Sequence, residues 1–124
     1  MALDRQNFAE LGLPAGPYTH AVTHAGTLYT SGFTAFGTDA RQSDAGRQTH
    51  AVLDQLGFIA GQYGRTFADL IKVTVFITHR SDLPEVRQVL DERYGGSLPA
   101  SSLVLVAGLF APELRVEIEA AFAV

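Results

Sequence analysis

In two stretches of this chain every second residue is apolar. In LIKVTVFITH, residues 70–79, Ile71, Val73, Val75 and Ile77 are interleaved with Lys72, Thr74, Phe76 and Thr78; in RVEIEAAFAV, residues 115–124, Val116, Ile118, Ala120 and Phe122 are interleaved with Arg115, Glu117, Glu119 and Ala121. A period of two belongs to an extended strand with one face on a core and the other turned away from it. The chain must therefore build a sheet with one apolar face and one mixed face, and something has to cover the first.

The rest of the sequence supplies the cover. YTHAVTHAGTLYTSG, residues 18–32, reads as two short strands around an Ala25-Gly26 turn. Val52, Leu56, Ile59 and Tyr63 recur at helical spacing, which predicts a helix from about Asp44 to Tyr63, closed by Gly64. Leu83, Val86, Leu90 and Tyr94 form a second stripe; Asp82 and Glu85 have capping-box spacing around Pro84, and Gly95-Gly96 end the helix. SLVLVA, residues 102–107, is a short apolar run read as a strand. The order is ββαβαββ, an α+β arrangement expected to form one domain over 1–124, and two helices can cover only one face of its sheet. The uncovered face would carry Glu117, Glu119, Lys72, Thr74 and Phe76. A face that is half apolar is more often closed by another copy than left wet, so a homo-oligomer is expected.

Composition narrows the setting. At 124 residues, 47% hydrophobic and 18% charged, the chain has material for one sizeable core. Without cysteine, neither disulfides nor thiolate metal sites are available. The N-terminus lacks the basic and apolar regions of a leader, and no run approaches the roughly 20 apolar residues of a membrane span, so a soluble, cytoplasmic protein is expected. The net charge of −4, with one lysine and eight arginines, offers no stripe for nucleic-acid phosphates.

Common chemical motifs are missing. His20 and His24, four residues apart in a strand, lie about 13 Å from each other and cannot share an ion. His50 and His79 have no second ligand nearby in sequence, so no metal is implied. Ser31 stands in TSGF rather than in a nucleophile elbow, and no glycine spacing forms a phosphate loop or dinucleotide fingerprint. On pattern alone Glu117 and Glu119 read as cross-strand partners of Lys72 or Arg115 at an oligomer contact, ahead of a role as functional carboxylates.

Four stretches decide more: AGPYTHAV (15–22), LYTSGF (28–33), LIKVTVFIT (70–78), and LPASSLVLVAGL (98–109) followed by VEIEA (116–120). In this order, with the helices in the gaps, the chain resembles the reactive-intermediate deaminase family, RidA/YjgF, also named for L-PSP endoribonuclease. The resemblance implies a chorismate-mutase-like fold, with a mixed sheet covered on one face by two helices, assembled as a homotrimer with clefts between subunits. It also implies cofactor-free hydrolysis of reactive enamines and imines, chiefly 2-aminoacrylate, to a keto acid and ammonia. Such chemistry needs a substrate anchor, a donor, and a carboxylate that orients or deprotonates water. By position, Tyr18 matches the family's cleft tyrosine, Ser31 and the backbone of Gly32 its polar lip, and Glu117 the glutamate that holds the water. Leu103 is placed among the substrate-binding residues, and Glu119 takes a structural, ion-paired role.

The chain departs from the family at the anchor. Deaminating members read Pro-Ala-Arg-Ser/Thr, where this chain has Pro99-Ala100-Ser101-Ser102. Ser101 offers one neutral hydrogen bond in place of a bidentate, charged pair about twice as strong per bond. Arg87, where the family commonly has asparagine, lies at the edge of the second helix's buried stripe; it either reaches over the rim as a replacement anchor or stands in solvent. Three functions follow: an imine or enamine hydrolase with an altered substrate range, which is the expected one, a non-catalytic small-molecule binder, and an RNA-cleaving translation inhibitor, which the acidic composition disfavours.

Overall fold

The computed structural model describes residues 2–124. Its strands are β1 (Asp4–Gln6), β2 (Ala21–His24), β3 (Thr27–Thr30), β4 (Leu70–Ile77), β5 (Ala100–Leu105) and β6 (Val116–Ala123), and its long helices are α1 (Ala45–Gly61) and α2 (Leu83–Tyr94). The sheet order is β1-β2-β3-β6-β4-β5, with β4 and β5 parallel and all other neighbours antiparallel. It is the α+β arrangement with two helices that the pattern predicts, with the mixed sheet that the family resemblance implies. β1 was not foreseen, because three polar or charged residues carry no readable period. Its register, Asp4↔Thr23 to Gln6↔Ala21, extends the hairpin by one edge strand.

Each element has a local cause. The β2–β3 turn holds both Ala25 (φ 51°) and Gly26 (φ 80°) in the left-handed region, as a two-residue type I′ hairpin turn requires. α1 starts where Asp44, extended, accepts a hydrogen bond from the Arg47 N–H at 2.9 Å. Val52, Leu53, Leu56 and Ile59 of α1 and Val86, Val89 and Leu90 of α2 are buried against Val73, Val75, Ile77, Val116, Ile118 and Phe122 of the sheet. Cutting Leu56 or Ile118 back to alanine would cost about 2–5 kcal/mol.

Three details differ from the sequence reading. A bulge between Leu70 and Lys72 buries Leu70 and turns Ile71 outward, 46% exposed, so the alternation of β4 begins only at Lys72. The capping box expected at α2 does not form. Asp82 instead binds the Arg115 guanidinium with both oxygens, at 2.8 and 2.9 Å, and Glu85 accepts from the Gly46 N–H at 2.9 Å; a charge-assisted bidentate pair outcompetes a cap. A capping box is present at Thr66–Asp69. β5 starts two residues earlier than read and ends at Leu105, its extent set by parallel pairing with β4 from Lys72↔Ala100 to Ile77↔Leu105.

Candidate active site

β6 lies between β3 and β4, and Glu117 projects from near its start, next to Val116, on the face without helices. The Phe33 N–H donates to the Ile118 carbonyl at 2.9 Å and the Ile118 N–H to the Phe33 carbonyl at 3.1 Å, so the segment after β3 runs beside Glu117. Gly32 meets its side chain directly. A β-carbon at position 32 would lie 2.9 Å from Glu117 Cδ and closer still to Oε2, which explains a glycine here by close approach. Ser31 is fastened on its other side, its N–H donating to the His20 carbonyl at 2.9 Å and its Oγ to the Thr19 carbonyl at 2.5 Å. Next to that segment is Tyr18, 46% exposed, whose hydroxyl accepts from the Ala15 N–H at 3.2 Å. Tyr18, Ser31, Gly32 and Glu117 are thus linked through backbone contacts at one end of the sheet.

The electrostatics single out Glu117. Burial, and then the charge of Glu119, push its pKa above the ordinary glutamate value. Neither glutamate has an ion-pair partner among the described residues. Within one chain the pairing of Glu119 with Lys72 or Arg115 is not formed among the described residues. Lys72 Nζ donates to Ser102 Oγ at 3.0 Å, and Arg115 is held by Asp82 on the helix side. A half-buried carboxylate without a cation holds protons more tightly than a paired one, which suits it to take a proton from water.

His20 is buried beside the same segment, stacked on Phe8 at 6.2 Å. Its Nδ1 accepts from the Phe8 N–H at 3.0 Å, so its proton sits on Nε2, and burial lowers its pKa. This is a packing histidine, as the sequence suggested. No group of three or more possible metal ligands occurs among the described residues.

The remaining candidates lie elsewhere in the chain. Ser101 pairs with Val73 and Leu103 with Val75, both buried on the helix-covered side, whereas Ser102 and Val104 share a face with Thr74 and Phe76. Glu117 is opposite Phe76. Ser101 is therefore two strands away, about 10 Å across the sheet and a similar distance along it, and on the other face. Arg87 is exposed on α2, also on the helix side, without an ion pair among the described residues. One chain brings together Tyr18, Ser31, Gly32 and Glu117 but not Arg87, Ser101 or Leu103.

Residues 10–124 match the family described as Endoribonuclease L-PSP. The chain belongs to the Endoribonuclease L-PSP family. Within its wider circle, a Mus musculus 2-iminobutanoate/2-iminopropanoate deaminase is 33% identical over 108 residues, covering 85% of this chain and 79% of that one. A protein of the same name from Dermatophagoides farinae is 30% identical over 109 residues, 86% and 84% of the two chains. Among solved structures, a member of the YjgF/YER057c/UK114 family from Mycobacterium tuberculosis superposes with a TM-score of 0.85 at 30% identity, covering 99% of this chain and 100% of that one. YyfA of the Rid family from Yersinia pestis gives 0.90 at 29%, with the same coverage.

This L-PSP family member has one feature at its site that sequence reading left uninterpreted. The first part of the loop FTAFGTDARQSDAG, residues 33–38, with the segment 10–15 and Phe110, walls a cavity of about 360 Å³ that also touches Tyr18, His20 and Gly32. Two phenylalanines separated by 74 positions carry no local signal of meeting.

Proposed function

We propose that this L-PSP family member is a homotrimeric, cytoplasmic hydrolase of reactive imines and enamines, acting without a cofactor. The observation that carries the reading is Glu117, a half-buried carboxylate with raised proton affinity, no cation, and a glycine against it beside Tyr18 and Ser31. Named deaminases among the relatives support the same class of reaction. Glu117 takes a proton from water as the oxygen bonds to the imine carbon, and the C=N electron pair moves to nitrogen. Returning that proton to nitrogen gives the carbinolamine; Glu117 then carries its hydroxyl proton to the amino group as the C=O forms and the C–N bond breaks, releasing a carbonyl compound and ammonia. An enamine first gains a proton on carbon to become the imine.

Completion of the cleft needs a second copy. Ser101, Leu103 and Arg87 lie on the helix side and cannot reach Glu117 of their own chain, whereas a neighbour in a trimer can present them. The uncovered sheet face, with exposed Tyr29 and Ile71 around a hollow of about 400 Å³, supplies the apolar surface for that assembly. Ser101 at the anchor position favours one other reading, a trimer that binds a small molecule without turning it over. RNA cleavage, which the family's name suggests, fits poorly with a net charge of −4.

The test is ammonia release from imines generated in situ, with and without a carboxylate. Wild type should exceed the uncatalysed rate, Glu117→Gln should lose about 10²–10⁴-fold, and Ser101→Arg should raise turnover of 2-aminoacrylate by about ten- to a hundredfold. A wild-type protein that sediments as a trimer yet hydrolyses no imine would leave the binding role in its place.

A further inference from the structure

The cavity beside Gly32 offers no cation to pair with a substrate carboxylate. At about 360 Å³ it is within the range of small-ligand pockets, larger than the smallest imines need. Phe36 and Phe110 line it, edge to face with ring centres 5.1 Å apart, and both are well exposed, at 40% and 63%. Leu13, 94% exposed, lines it as well. Several polar groups in its wall are already engaged: Gln55 Nε2 donates to the carbonyls of Thr34 and Ala51 at 2.9 and 3.1 Å, Thr38 Oγ1 donates to the Ala35 carbonyl at 2.7 Å, and His20 Nδ1 accepts from the Phe8 N–H; the one charged side chain in the lining, Glu10, is anionic and would repel a carboxylate.

No cation lines the cavity. Arg41 sits just outside it, 4.3 Å over the Phe36 ring, with its charge met by Glu113. The two loops that carry the phenylalanines are also fixed to each other. Buried Gln48 donates to the carbonyls of Arg41, Ser43 and Glu113 and accepts from the Arg115 N–H at 2.8 Å. The rings are therefore presented on a braced frame rather than on free loops, and Gly32 joins this space to the Glu117 carboxylate.

We infer that the substrate carries a large apolar substituent, aromatic by preference, on its imine carbon, and that the cavity between Gly32 and the Phe36–Phe110 pair receives it; this rests on the imine-hydrolase reading above. Offset and edge-to-face ring contacts favour a planar aromatic guest, and burial of its apolar surface supplies the selectivity.

The experiment compares imines generated in situ by an amino-acid oxidase from phenylalanine and from alanine, reading kcat/KM from ammonia release. The phenyl-bearing imine should be preferred by at least about tenfold, as extra buried apolar groups in a pocket give. Phe36→Ala and, separately, Phe110→Ala should each reduce that preference roughly 3- to 10-fold. Equal rates on the two imines in wild type would overturn this inference while leaving the hydrolase standing. Hydrolysis of neither imine, with Glu117→Gln indistinguishable from wild type, would overturn both. Variants that change sedimentation but leave the preference untouched would assign the rings to subunit contact and overturn the inference alone.

Discussion

Gly32→Ala tests the site where sequence and geometry are most tightly joined. Gly32 does not have a left-handed φ, so alanine is allowed by its backbone and the whole effect comes from what the new methyl meets. It would lie 2.9 Å from Glu117 Cδ and 3.1 Å from Cγ. Carbon atoms rest at about 3.5–4.0 Å, so the carboxylate must withdraw by roughly 0.5–1 Å. Because the obstacle is the end of a flexible side chain, the fold can accommodate the change. The stability cost should stay within about 1 kcal/mol, partly offset by the lower unfolded-state entropy of alanine. A catalytic group misplaced by about 1 Å loses around 10²-fold, so kcat for imine hydrolysis should fall by that order while the thermal midpoint moves by only a few degrees. Steady-state ammonia release and a melting curve on the same preparation measure both. In a Glu117→Gln background the glycine change should add little further loss, since both act through one carboxylate. Full additivity in the double variant, or a Gly32→Ala enzyme within twofold of wild type, would show that the contact with Glu117 is incidental.

The Asp82–Arg115 pair should matter for stability: Arg115→Met leaves a mostly buried carboxylate uncompensated, and with Arg115 partly exposed the loss should be about 2–3 kcal/mol by denaturant unfolding, partly recovered in the double variant with Asp82→Ala. A loss under 1 kcal/mol would place the pair among ordinary surface bridges. Two opposite pH effects are expected. His20 has a folded pKa below 6.5, so its contribution is intact above pH 6.5 and is lost as pH falls through the folded value; His20→Asn should flatten that acid limb. Glu117 has a folded pKa above 4.5, so its contribution is present below pH 4.5 and is lost as pH rises through the folded value. Glu117→Gln should accordingly be more stable than wild type at pH 7, measured by the same unfolding curves, and equal or lower stability there would contradict the burial of this carboxylate.

Much of the architecture was legible because it is written in periods. Alternation in residues 116–122 and 72–77 fixed which side chains face the helices, and the stripes of Val52, Leu56 and Ile59 and of Val86 and Leu90 located the covering layer. What has no period was missed or misassigned. β1 is too short, the bulge at Ile71 shifts one residue against a regular background, and Asp82 at capping spacing was drawn away by an arginine 33 positions distant. Long-range competition of this kind is invisible to spacing.

The site divides along the same line. The face of Glu117 could be read because it follows from its own strand, and Gly32 was singled out because it lies in the stretch LYTSGF. The faces of Ser101 and Leu103 depend instead on which strand β5 joins and in which register, and neither is stated in SLVLVA. Pairing Ser101 with Val73 sends it to the helix side; a register one residue different would have sent Ser102 there instead. The parallel β4–β5 pairing thus separates the anchor position from the carboxylate within one chain. Under the proposed imine hydrolysis, which would need both, a single subunit would hold only half of a site, and the half-apolar sheet face left uncovered in the fold offers the apolar surface that such an assembly would bury.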